Sequence, residues 1–232
     1  MNTAIIIGAG KGKRMQSKVN KILLTLAEKP IICHTIKKFE DSGLIDDIIL
    51  VINKDDEREI KNLIKRYGFK KIKKIVYGGK ERQDSVYSGI KAIENARNED
   101  IILINNAVNP FVNEKTIKEV IEEARIYGAS AAAIKAKDTI KEADKNNFAV
   151  KTLDRNKLWQ MQTPQVMKYG IAIKAFEKAH KDNFYATDDV SLVERLGKKV
   201  KIVETNKENI KITTPEDLEL AEKIKSAKRI GL

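Results

Sequence analysis

Cysteine is nearly missing from this chain of 232 residues, with Cys33 the only one. No intrachain disulfide can form, and a chain of this length can bury enough surface to fold without one. Cys33 lies in the apolar stretch Pro30-Ile31-Ile32-Cys33-His34 and is expected to pack as a small hydrophobe, which suits a reducing, cytoplasmic setting. Long apolar runs are missing too: Ile101-Ile102-Leu103-Ile104 gives way at once to Asn105 and Asn106, far short of the roughly 20 residues of a membrane helix. The start Met1-Asn2-Thr3 lacks the charged head and long apolar core of a signal peptide, so neither export nor a membrane is expected. Aromatic residues make up 6% of the sequence, too few for the base stacking of a single-strand RNA binder. The two histidines, His34 and His180, fall outside every motif below and read as packing or surface residues.

Positive charge is what the chain has in excess. Forty-five Lys and Arg against 33 Asp and Glu leave a net charge of +12, which attracts phosphates on nucleotides, nucleic acids or lipids alike. Mixed stretches such as Lys54-Asp55-Asp56-Glu57-Arg58-Glu59 read as solvated helix faces. No recognised RNA or DNA motif accompanies the charge, so no nucleic-acid partner is expected.

Short Ile- and Val-rich runs at 3–7, 47–52, 72–77 and 100–104 read as buried strands. Amphipathic stretches at 30–41, 55–67 and 84–97 read as the helices between them, the alternation of an α/β protein with a mostly parallel, twisted sheet flanked by helices. After a strand-like run at 129–136 the rhythm breaks. Residues 137–156 are polar, lack helical periodicity and carry a turn signal at Ala143-Asp144-Lys145-Asn146-Asn147, the pattern of a protruding two-stranded β-arm whose bare edges call for a second subunit. Helices are expected at 168–180 and 188–196, a strand at 200–204, and a last helix opened by Thr214-Pro215-Glu216-Asp217. With no long linker or repeat, the expectation is one domain over 1–232 with a dimerisation arm.

The first strand runs straight into Gly8-Ala9-Gly10-Lys11-Gly12-Lys13-Arg14-Met15. Glycines let a backbone approach phosphates closely, and the cations supply charge. Position 13 is Lys, which breaks both the dinucleotide fingerprint and the P-loop spacing. A different phosphate cradle remains, with Lys11, Lys13 and Arg14 inside it and Lys21 just beyond; a purely steric turn is the bland alternative.

Six segments together carry a resemblance: residues 8–15 with Lys21; Gly78-Gly79-Lys80-Glu81-Arg82-Gln83-Asp84-Ser85-Val86; Asp154-Arg155-Asn156-Lys157-Leu158-Trp159; Gln162-Thr163-Pro164-Gln165; Ala186-Thr187-Asp188-Asp189; and Asn209-Ile210-Lys211-Ile212-Thr213. In this order the chain resembles the 2-C-methyl-D-erythritol 4-phosphate cytidylyltransferase family from end to end. The resemblance implies a Rossmann-like nucleotidyltransferase fold, a homodimer, CTP as co-substrate, Mg²⁺ as cofactor and a small polyol phosphate as acceptor. It further implies that Arg14, Lys21 and Lys211 are catalytic. Ala9, Gly10, Lys11, Gly12, Gly79, Lys80, Arg82, Ser85 and Ala107 would meet the nucleotide. Thr139, Arg155, Thr163, Thr187 and Asn109 would meet the acceptor, with Thr139 and Arg155 reaching it from the partner's arm.

One motif departs from the family pattern. Where His-Asp, two small residues and Arg-Pro are usual, this chain reads Asn105-Asn106-Ala107-Val108-Asn109-Pro110. Asn106 stands at the metal aspartate's place with a neutral oxygen, and Mg²⁺ generally binds through one or two carboxylates plus substrate phosphates, so metal binding would lean on the triphosphate. Asn109 removes the bidentate phosphate contact of an arginine. An acceptor such as ribitol 5-phosphate, or a homologue that binds nucleotide without catalysis, stays open at this point. Weaker signals include Trp159 as an apolar anchor, Thr163-Pro164 as a rigid turn, and Thr187 rather than Asp188 as the helix cap.

Overall fold

A computed structural model describes residues 1–10 and 20–230, with side chains through 227. Lys11, Gly12, Lys13 and Arg14 therefore lie outside the described residues.

The opening strand β1 (Asn2–Ile7) is followed by a small ladder of β2 (Thr25–Leu26) and β3 (Lys29–Pro30) and by helix α1 (Ile31–Asp41). Then come β4 (Asp47–Ile52), α2 (Glu57–Tyr67), β5 (Ile72–Tyr77), α3 (Arg82–Lys91), β6 (Ile101–Asn106), α4 (Glu114–Tyr127) and β7 (Ala129–Lys135). The arm is β8 (Lys141–Ala143) paired with β9 (Ala149–Thr152), a sheet of its own. The chain closes with β10 (Trp159–Lys168), α5 (Tyr169–Lys181), α6 (Val190–Arg195), β11 (Lys201–Glu204) and α7 (Pro215–Ile230).

Seven strands form one sheet in the order β11-β7-β10-β6-β1-β4-β5. Its ladders are parallel except where β10 runs against both β6 and β7. Helices cover both faces, and β1 divides its side chains between them: Ala4 and Ile6 join α1, α2 and α4, while Ile5 and Ile7 join α3, α5 and α6. Burial on both sides is why these strands read as continuous apolar runs instead of alternating ones. Gly89 of α3 lies so close to the sheet that an added Cβ would stand 2.5 Å from Ile5 Cγ2. Cys33 packs inside α1, where burial pushes its thiol up to about 12 and keeps it neutral.

Helix α4, strand β10 and the short β2–β3 ladder are additional to the elements expected from the sequence. Helix α4 carries Ile117, Val120, Ile121 and Ala124 at helical spacing, and Asn113 caps it by accepting from the Thr116 N–H at 2.8 Å. Strand β10 runs through Thr163-Pro164, where a rigid turn was expected; the peptide there is cis and the register with β7 breaks between Met161 and Gln165. Helix α3 is shorter than expected and ends at Lys91, because residues 92–100 turn, with Asn95 at φ 54° and the Asp100 carboxylate accepting from Arg97 N at 2.8 Å. Before α6, Asp188 does the capping rather than Thr187, accepting from Ser191 N at 3.1 Å.

Candidate active site

Strand β1 has β4 on one side and β6 on the other, so the chain winds outward in two directions from it. Open α/β sheets bind ligands in the crevice this reversal leaves beyond the carboxyl ends of the strands. The backbone is pinned here: Gly8 N donates to Val51 O at 2.7 Å, Ala107 N to Ile7 O at 2.8 Å, and Gly78 N to Ile52 O at 3.0 Å.

A pocket opens at that point. It is lined by Ile7, Gly8, Ala9 and Gly10 after β1, by Lys21 and Ile22, by Gly79, Lys80, Glu81, Arg82 and Ser85 around the start of α3, by Asn106 and Val108 after β6, and by Lys211. The loop before α3 needs its glycines. An added Cβ on Gly78 would meet Ala9 Cβ at 2.2 Å, and one on Gly79 would meet Asp84 Cβ at 2.4 Å. Ser85 Oγ stitches the same loop, donating to Glu81 O and accepting from Gly79 N, both at 3.1 Å. The loop before α3 thus packs closely against the residues that follow β1.

Lys21 opens a short 3-10 turn capped by Asn20, whose side-chain Oδ1 accepts from Ile22 N at 3.4 Å. Ile22 is buried under the pocket floor, so Lys21 is left half-buried at the rim. Lys211 is exposed between half-buried Ile210 and fully buried Ile212. The alternation expected there is present without a strand; Ile212 N donates to Val108 O at 2.9 Å and fixes the segment against the loop after β6.

Arg82 is bonded through all three of its guanidinium nitrogens. Its Nη1 and Nη2 donate to Asp189 Oδ1 and Oδ2 at 2.8 and 2.7 Å, a bidentate fork, and its Nε donates to Asn106 Oδ1 at 3.4 Å. Burial works against the guanidinium charge, but the facing Asp189 carboxylate and nearby Asp188 more than offset it and hold the proton above the ordinary arginine value. Asp189 itself is oriented by Gln165, whose Oε1 accepts from the Asp189 and Val190 N–H groups at 2.8 and 3.1 Å. The sequence reading missed Asp189 and Gln165 in these roles, and Val108 as a pocket residue.

The expected residues divide into two groups. Ala9, Gly10, Lys21, Gly79, Lys80, Arg82, Ser85, Asn106 and Lys211 line one pocket. Ala107 is fully buried behind it and accepts from Thr35 Oγ1 at 2.8 Å, while buried Asn109 and Thr163 sit against Asn106. Thr187 is exposed on the loop before α6. Thr139 and Arg155 are exposed on the arm, where Arg155 Nη1 donates to Lys137 O at 3.2 Å.

The Mg²⁺ that the resemblance implies finds few protein donors. Among the described residues no group of three or more His, Cys, Asp and Glu is placed to hold a metal ion. The Asn106 oxygen already accepts from Arg82. A neutral amide beside a guanidinium does not fit a protein-held divalent cation.

With this geometry in view, comparison with known proteins is direct. Residues 2–226 match the family model of IspD, 2-C-methyl-D-erythritol 4-phosphate cytidylyltransferase. The chain is 44% identical over 224 residues to the 2-C-methyl-D-erythritol 4-phosphate cytidylyltransferase of Clostridium novyi, covering 96% of each chain, and 45% identical over 225 residues to that of Clostridioides difficile, covering 97% of this chain and 93% of the relative. Among solved structures, the 4-diphosphocytidyl-2C-methyl-D-erythritol synthase of Anaerococcus prevotii superposes with a TM-score of 0.86 at 32% identity, over 97% of this chain and 96% of that one. The Francisella tularensis IspD follows at 0.81 and 33%, over 95% and 97%. The chain belongs to the 2-C-methyl-D-erythritol 4-phosphate cytidylyltransferase family.

Proposed function

We propose that the chain transfers CMP from CTP to 2-C-methyl-D-erythritol 4-phosphate, releasing pyrophosphate. A phosphate oxygen of the acceptor attacks the α-phosphorus of CTP, the bond from that phosphorus to the bridging oxygen breaks, and pyrophosphate leaves with its electron pair. The attacking oxygen is already anionic near neutral pH, so no general base is needed, and among the described residues the pocket lining contains no histidine. Catalysis then rests on holding two polyanions in line and neutralising the charge that builds on phosphorus. The observation that carries this reading is the convergence of Lys21, Lys80, Arg82 and Lys211, from three separate segments, on one crevice at the sheet's switch point.

In this reading Lys21 and Lys211, with Arg14, meet the phosphates, while Gly79, Lys80, Arg82 and Ser85 flank the nucleoside. Mg²⁺, where it takes part, is held by the substrates' own phosphate oxygens rather than by protein carboxylates. The setting is cytoplasmic. Pyrophosphate release from CTP, measured with methylerythritol phosphate and ribitol 5-phosphate side by side, tests the assignment; a clear preference for ribitol 5-phosphate overturns the acceptor.

The arm supports a homodimer. Among the described residues its strands pair only with each other, and Phe148 and Val150 are 70% and 65% exposed on it. Edges and apolar side chains of this kind need cover. Thr139 and Arg155 would then reach the acceptor of the neighbouring subunit. Mixing Arg155→Ala subunits with Lys21→Ala subunits should restore activity well above either parent, because one of the two composite sites in a mixed dimer carries neither change. Full activity from a monomer in dilute solution rules this out.

A further inference from the structure

Asn106 and Asn109 stand where a metal ligand and a phosphate ligand are usual, but their hydrogen bonds give them other work. Arg82 Nε donates to Asn106 Oδ1 at 3.4 Å, Asn106 Nδ2 donates to Asn109 Oδ1 at 3.1 Å, and Asn109 Nδ2 donates to the Ile210 main-chain oxygen at 3.2 Å. Thr163 Oγ1 lies beside the middle of this chain, 3.4 Å from Asn106 Nδ2. A guanidinium can only donate and a peptide oxygen can only accept, so the two ends fix which way both amides point. Neither amide can turn over without setting like against like. Both residues are buried, so a broken link leaves polar atoms without water to replace the partner.

The ends of this chain matter because both belong to the pocket: Arg82 lines it directly, and Ile210 is joined to Lys211, which also lines it. We propose that Asn106 and Asn109 are positioning residues that act as one unit, a one-way amide relay tying the Arg82 wall of the pocket to the segment that carries Lys211. The inference rests on the proposed reaction and deepens it. It also reverses the effect that the motif alone suggests for a carboxylate at 106. An aspartate there would strengthen the bond from Arg82, but it would turn an oxygen toward Asn109 Oδ1, and Asn109 cannot answer by flipping because Ile210 O requires its N–H.

The test uses Asn106→Ala, Asn109→Ala, their double variant, Asn106→Asp, and Asn106→Asp combined with Asn109→Arg, with turnover, KM for CTP and thermal unfolding measured for each. For coupled neighbours, each alanine should lower kcat on the order of 10-fold with a smaller change in KM, and the double should fall within about twofold of the weaker single. Asn106→Asp alone should also lose turnover, and Asn109→Arg, which donates to both neighbours, should recover most of the loss. Losses that multiply in the double variant overturn the relay, as does an Asn106→Asp protein that matches or outpaces the wild type. If the wild type releases no pyrophosphate, the reaction fails and the relay is judged on unfolding: a double-variant shift smaller than the sum of the singles supports it, and an additive shift overturns it.

Discussion

Lys211→Ala and Lys21→Ala should each lower turnover by a factor on the order of 10² or more, the loss seen when one preorganised electrostatic donor is removed from a site where charge develops. Attack at the α-phosphorus adds charge to oxygens that are already anionic, and a fixed cation stabilises that state more than the ground state. The two lysines come from opposite ends of the chain, one on a 3-10 turn after the phosphate loop and one on an extended segment before α7, yet line the same pocket. Neither belongs to the apolar core. Both variants should therefore still fold, which a cooperative thermal unfolding transition checks. Lys→Arg at either site keeps the charge but spreads it over a planar fork, so partial activity is expected there. Turnover is read as pyrophosphate release at saturating CTP and acceptor; near-normal rates in both alanine variants would take the two lysines out of the mechanism.

Much of the scaffold behind this prediction was legible in the sequence. The runs at 47–52 and 72–77 are strands β4 and β5 to the residue, but only β4 is buried on both faces; β5 lies at the sheet edge with no residue fully buried, which corrects the expectation of a buried strand there. The arm was legible from what it lacks: residues 141–143 and 149–152 are exposed throughout, and only their turn chemistry marks them as paired strands. Strand β10 was hidden because it mixes Gln160, Gln162, Thr163 and Pro164 with its apolar residues; its first half is exposed or half-buried and its second half buried, so neither alternation nor a continuous apolar run marks it.

The candidate site was legible as motifs and not as geometry. The glycines after β1 signalled a backbone that a phosphate can approach; an added Cβ at Gly78 would meet Ala9, whereas Gly10 has open space around it. What no local pattern could reveal is pairing across the chain. Arg82 and Asp189 are 107 positions apart, and Asn109 reaches Ile210 across 101. Asn106 shows the consequence: its motif suggests a weakened metal ligand, whereas its position shows an amide already committed on both sides.

Arg82→Met should cost about 3–5 kcal/mol of stability, the usual penalty for stranding one half of a buried ion pair. Asp189 is only 2% exposed, so without the fork from Arg82 its carboxylate faces neither water nor a cation. Asp189→Asn should cost less, about 1–2 kcal/mol, because the amide keeps the shape and one acceptor, and the Arg82 side chain, one-third exposed, can turn its freed N–H to water. The asymmetry is useful because Arg82 is proposed to work for both the fold and the nucleotide. Pairing Arg82→Met with Asp189→Leu removes both charges together, and an apolar pair of similar volume should return most of the lost stability. Activity should not return with it. The double variant should unfold near the wild type in denaturant yet bind CTP weakly, since the pocket has lost its guanidinium and Asn106 has lost the donor that orients it. If instead CTP binding recovers along with stability, Arg82 serves the fold alone and the nucleotide is held by its neighbours Gly79, Lys80 and Ser85.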